Sequence, residues 1–214
     1  PDGSFAKKDI LVDEGLIILI EDNIGDVGAK NIIDANGKYV TPGLIVFSSL
    51  GLIELGSLPE TNDTSSDTYN AGFDPSKAYN PFSQAVRLNR AKGVSSTVHL
   101  PQASGYFSGL LSYRKINEGY KQKKQGPLGL VTSFGQSYSE SRAANLFFME
   151  DLFNYVRTNK DDNYADMTQF MLGTANDYKF TSRDFKAIQK VLDGEIPLVV
   201  RVNRSTDRKS TRLN

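Results

Sequence analysis

The chain has 214 residues, with 25 Lys and Arg against 25 Asp and Glu and a formal net charge of zero. This balance offers no basic face to a nucleic acid, since the one basic cluster, Lys121-Gln122-Lys123-Lys124, is short enough to be a solvated face. The lack of cysteine excludes disulfides and thiolate metal sites, and no apolar run reaches the roughly 18 residues of a membrane span.

In chain order, residues 9–23 read as a hairpin, two apolar β-branched runs joined at Asp13-Glu14-Gly15. Residues 32–40 read as two short strands around an Asn36-Gly37 turn. Pro42-Gly43 then bends the chain into Leu44-Ile45-Val46-Phe47, an apolar run of the kind buried on both faces in a parallel sheet. Residues 51–72 form a long polar segment carrying Glu54, Glu60, Asp63 and Asp67. Two readings stand for it: a loop over an active-site mouth that binds a hard cation, or a solvated flap. The spacing matches no oxygen-ligand loop of the EF-hand type.

Asn80-Pro81 predicts a helix start, with Asn80 as N-cap, an apolar side of Ala85, Val86, Leu88 and Ala91, and a stop at Gly93. Residues 94–101 are a predicted strand, and Gly105 and Gly109 are predicted turn formers rather than a phosphate cradle. Residues 110–124 read as a weakly amphipathic helix and 127–134 as a third strand. The strongest helix opens at Ser141-Arg142-Ala143-Ala144 and presents Leu146, Phe147, Met149, Leu152, Phe153 and Val156 on one broad side. After a polar break at 161–166, Thr181 and Asp184 make a capping-box start. Phe185, Ile188, Val191 and Leu192 form the buried stripe of that helix, and Gly194 stops it. Residues 196–204 are the fourth predicted strand. Strands near 44, 95, 129 and 198 separated by helical patterns predict an α/β class with βα repeats and a parallel sheet. A complete (β/α)₈ barrel takes about 250 residues, so four strands are half of one.

Several of these stretches share a pattern. Ile33-Asp34-Ala35-Asn36-Gly37-Lys38, Thr41-Pro42-Gly43-Leu44-Ile45, Gly93-Val94, Ser141-Arg142-Ala143-Ala144 and Ile196-Pro197-Leu198, in that order and spacing, resemble the amidohydrolase superfamily, in particular its imidazolonepropionase-like branch. The resemblance implies the first half of a TIM (β/α)₈ barrel over 42–206, preceded over 1–41 by part of a small β-sandwich. It also implies hydrolysis of amide or cyclic amide C–N bonds in the full-length protein, by water activated on one divalent metal such as zinc. Residues 207–214 resemble the translation of a sequencing adapter and are expected to be foreign to the fold. The expected partners are a small-molecule substrate or ligand and the missing half of the same barrel.

The resemblance breaks where the chemistry would lie. The two metal-binding histidines that follow the family's first strand fall on Ser48 and Leu50, and the fourth-strand pair falls on Arg201 and Asn203. Leucine cannot ligate a metal and serine is a poor ligand for zinc, so no metal is expected in this fragment and its site reads as degenerate. Candidate substrate-binding residues are His99, Arg201, Asn203 and Arg204. His99, the one histidine of the chain, reads as a ligand-contacting group or as an imidazole hydrogen-bonded at a strand end. Arg201 and Arg204 read as a clamp for an anionic substrate, or as partners of Asp or Glu on neighbouring strands. Two functions follow: an amidohydrolase whose 214-residue part is inactive by itself, or a non-catalytic barrel that lost its metal and binds a ligand or partner. The compartment stays open between cytoplasm and periplasm.

Overall fold

The computed structural model describes residues 5–54, 70–102, 105–116, 126–134, 142–159 and 180–202. The chain divides into two units, Pro1–Pro42 and Gly43–Asn214. In the first, β1 (Asp9–Asp13) pairs antiparallel with β2 (Leu16–Glu21) as the β-branched runs require. Both faces of this two-stranded sheet are apolar and open: Val12, Leu16, Ile17 and Ile18 are exposed. At Asn36-Gly37 the predicted turn forms, with both residues at positive φ and Lys38 N–H donating to Ala35 O at 2.9 Å. The two predicted strands beside it do not. Ile32 and Ile33 are 85 % and 91 % exposed; turn chemistry sets the reversal, but without a surface to cover, the flanking residues gain nothing from pairing.

The second unit is built on a five-stranded sheet of order β3-β4-β5-β6-β7. Its strands are β3 (Leu44–Phe47), β4 (Val94–His99), β5 (Phe107–Lys115), β6 (Gly129–Phe134) and β7 (Leu198–Val202). β3 and β4 run parallel, as do β6 and β7, but β5 lies antiparallel to both of its neighbours. The sheet is therefore mixed rather than wholly parallel, and a strand stands where a weak helix was expected. The physical reason is visible in 110–115. Leu111 and Tyr113 alternate with Ser112 and Arg114, a two-residue period that places the first pair against an apolar cluster and the second pair against polar partners.

Helices cover one face of the sheet. Met149, Leu152 and Val156 of α2 (Arg142–Thr158) and Phe185, Ala187 and Ile188 of α3 (Ser182–Leu192) pack with Phe107 and Leu130 into the main core. A second cluster joins Val86 of α1 (Gln84–Ala91) to Leu50, Leu52, Tyr79, Val94 and Ile116. Helix α1 is capped by Ser83, whose hydroxyl accepts from Ala85 N–H, and not by Asn80 as predicted. The Asn80 side chain is engaged elsewhere: its amide donates to Glu54 Oε1 at 2.9 Å and its carbonyl accepts from Phe82 N–H. On the opposite face Val98, Leu111 and Val131 form a small cluster with Leu100, Tyr113 and Val199.

One hydrogen bond reports the curvature of this sheet. Arg201 Nη1 on β7 donates to Pro101 O, just after β4, at 2.7 Å. In a flat sheet, strands three places apart are separated by about 14 Å, three spacings of roughly 4.8 Å. The side chain spans that gap because the sheet curls into half of a barrel wall.

The capping box at α3 does more than start a helix. Thr181 N–H and Oγ1–H donate to Asp184 Oδ2, while Asp184 Oδ1 accepts Gly72 N–H at 2.7 Å. Asp184 is only 3 % exposed, so its charge must find donors inside the protein. Gly72 comes close enough to α3 that an added Cβ would lie 2.6 Å from the Arg183 backbone. Replacing Asp184 by Ala removes charge-assisted bonds worth about 1.5–3 kcal/mol each. Hydrogen exchange at the Gly72 and Thr181 amides should accelerate by about tenfold to a hundredfold, while the amides of β6 change far less. Equal acceleration throughout the second unit would show that the cap has no local role.

Candidate functional site

In barrels, chemistry gathers at the C-terminal ends of the parallel strands. Here those ends are Ser48 to Leu50 after β3, His99 to Gln102 after β4, Ser133 on β6 and Arg201 on β7.

On the helix-covered face these ends are closed by a polar layer. Ser48 Oγ lies 3.2 Å from Thr97 Oγ1 and accepts Leu50 N–H. Leu50 itself is 8 % exposed and belongs to the apolar cluster with Tyr79 and Val86. His99 is fully buried, and its Nε2 lies 2.9 Å from Leu50 O. A carbonyl can only accept, so Nε2 carries the proton. The Tyr79 ring sits 5.6 Å from the imidazole, centroid to centroid. Tyr79 also packs on Gly51, which has a φ of +80° and no room for a Cβ, since one would lie 2.5 Å from the ring. The turn after β3 is thereby pressed against the chain at 79–80, where Asn80 N–H donates to Gly51 O at 2.7 Å.

Beneath this lies a group of residues that motif reading did not single out. Asp74 caps a 3₁₀ helix, Pro75–Ala78, and its Oδ1 accepts Ser76 N–H, Ser76 Oγ–H and Ser112 Oγ–H. Arg114 donates to Ser76 O and Oγ. The available signal was Asp74-Pro75-Ser76, a capping sequence ahead of a Pro at the first helical position. The Tyr79 hydroxyl and Arg114 Nε are buried without a hydrogen-bond partner among the described residues. Burial pushes the Tyr79 phenol above its ordinary value near 10, with the Arg114 and Arg90 charges pulling the other way.

The opposite face carries a different arrangement. Arg201 stands beside Ser133 in the parallel register of β6 and β7. Ser133 Oγ lies 3.4 Å from Ser108 Oγ, and Ser96 Oγ lies 2.7 Å from Tyr113 Oη. Val98, Leu111, Val131 and Val199 make the apolar ground on the same side. The structure thus separates the candidates that the sequence grouped: His99 is on the helix-covered face and Arg201 on the other. Asn203 and Arg204 lie outside the described residues, as do Glu60, Asp63 and Asp67 of the acidic segment. Among the described residues, no group of three or more His, Asp or Glu side chains is placed to hold a metal ion, and no helix is long and apolar enough to cross a membrane.

Neither a protein-family model nor a curated protein matches this chain. Its fold is similar to the crystal structure of an amidohydrolase from Thermotoga maritima MSB8, with a TM-score of 0.77 and 21 % sequence identity over 94 % of this chain and 55 % of that one. The chain spans about half the length of that structure. The likeness is one of fold: a mixed α/β unit with a curled five-stranded sheet and a separate two-stranded sheet.

Tyr79 generates a test by pH. A phenol whose folded-state pKa is raised favours the folded state below its unfolded value near 10, and that contribution is lost as pH climbs from there through the folded value. Tyr79→Phe should therefore flatten the loss of the urea midpoint above about pH 10. At neutral pH it should leave the midpoint unchanged or raised, because it deletes a buried hydroxyl that has no bond to lose. A clear fall at neutral pH would mean that the hydroxyl is bonded in solution.

Proposed function

We propose that this chain supplies one part of an amidohydrolase-type hydrolase acting on amide or cyclic amide C–N bonds, and that by itself it does not catalyse hydrolysis. The observation that carries the reading is the fold match, which covers nearly all of this chain and little more than half of the amidohydrolase it resembles. Fold alone is a warrant by association, and function must come from the site. The partner implied is the remainder of the barrel, closing against the edges of β3 and β7.

The resemblance in sequence implies a divalent metal, and the residues present do not fit one. Ser48 spends its hydroxyl on Thr97 and the Leu50 amide, Leu50 is core, and Arg201 brings a positive charge. No step is therefore assigned to a metal. What the chain offers is binding and orientation: an aligned guanidinium, nearby hydroxyls and an apolar ground.

That same set supports a second reading, a barrel that binds a small ligand without chemistry. The position of Leu50 inside the apolar cluster favours it, because restoring a polar ligand there would break the packing of Leu52, Tyr79 and Val86.

The test is direct. The purified chain, supplied with zinc or manganese, is assayed on linear amides and on five- and six-membered cyclic amides, and its metal content is measured after dialysis. No turnover above background and no retained metal are expected. Metal-dependent turnover by this chain would overturn the proposal.

A further inference from the structure

Arg201 is held in place and, among the described residues, not neutralised. One of its five N–H groups donates to Pro101 O. Among the described residues, no carboxylate lies within salt-bridge distance of its guanidinium; the ion pairs found there are Lys8–Asp22 and Lys190–Glu195. The side chain is half-buried and rises next to Val199, Val131 and Leu111. A charge in such surroundings is costly unless it is paired, and the bond to a neutral carbonyl fixes its direction without cancelling it. Ser133, its neighbour in register, adds a hydroxyl donor on the same side.

We propose that Arg201 and Ser133 form a binding site for the carboxylate group of a small organic acid. A guanidinium matches a carboxylate with two parallel N–H···O bonds, and the apolar surroundings strengthen both. The fixed bond to Pro101 O means that little side-chain freedom is lost on binding. The proposal rests on reading these strand ends as a ligand face. It names the ligand class whether the complete protein hydrolyses that acid or only carries it.

The experiment uses the 214-residue chain with ¹⁵N-labelled arginine side chains. Sodium benzoate and sodium acetate are titrated separately, with neutral benzamide as the control of matched shape. Saturable movement of the Arg201 Nε–H resonance with at least one of the two carboxylates, and none with benzamide, is expected. Arg201→Lys keeps the charge but loses the fork, and should weaken binding by about tenfold. Arg201→Met should abolish saturation of the remaining carboxylate-responsive resonances, with circular dichroism reporting that the variant is folded.

If Arg201→Met does not fold, the wild-type titration decides. No saturable response to either carboxylate, an equal response to benzamide, or undiminished binding in a folded Arg201→Met each overturns the proposal. Carboxylate binding without amide turnover leaves this site standing, and amide turnover without carboxylate binding removes it and leaves a hydrolase.

Discussion

Two carboxylates, Asp74 and the buried Asp184, tie down residues 70–80, ahead of α1. Each takes donors from its own turn and one from a distant part of the chain. Asp184 takes the amides of Gly72 and Thr181, and Asp74 takes hydroxyls of Ser76 and Ser112. Between them, Phe73 O accepts Leu110 N–H at 2.7 Å. An ionised group removed from water is tolerated only when its oxygens are met by donors, so these bonds leave the segment one place to lie. Its position in turn sets Tyr79 on Gly51 and closes the turn after β3 over His99.

This constraint explains why the strand ends divide into two chemically different faces. Under the segment, Ser48, His99 and Ser112 are occupied in holding the fold, with Thr97, Leu50 O and Asp74 respectively. On the other face the bonds among the described residues are fewer: Ser133 Oγ lies near Ser108 Oγ, and Arg201 donates to Pro101 O. Residues committed to folding are poorly suited to binding, because releasing them exposes buried partners.

What the sequence made legible follows the range of the interactions. The capping box of Thr181 and Asp184 is encoded within four residues and was readable; so were the stripe of α3 and the strand at Leu44–Phe47, but not the expected burial on both faces, since β3 is an edge strand with Leu44, Ile45 and Phe47 exposed. The helix expected over 110–124 was not, because the charged ending Tyr113-Arg114-Lys115 suits either period. Pairing with β4 and β6 decided for a strand. The start of α1 was displaced because two good caps, Asn80 and Ser83, stand within one turn. Glu54, far along the chain, claims the first. The placement of His99 and Arg201 on opposite faces depends on strand register, which no local pattern specifies.

The charge on Arg201 also separates two accounts of these strand ends. The interaction of two unit charges about 4 Å apart is worth about 4 kcal/mol at an effective dielectric near 20. A divalent cation at that distance from the guanidinium would thus meet a repulsion of about 8 kcal/mol, before any ligand is considered. Carboxylates could offset it, but among the described residues the nearest structural roles for Asp and Glu lie elsewhere: Asp74 and Asp184 on the helix-covered face, Glu54 on Asn80. An anionic ligand changes the sign of the same interaction and turns the cost into attraction. Arg201 at this strand end therefore disfavours a cation and favours an anion. The curl of the sheet, by bringing Pro101 O to Arg201, gives that charge its direction.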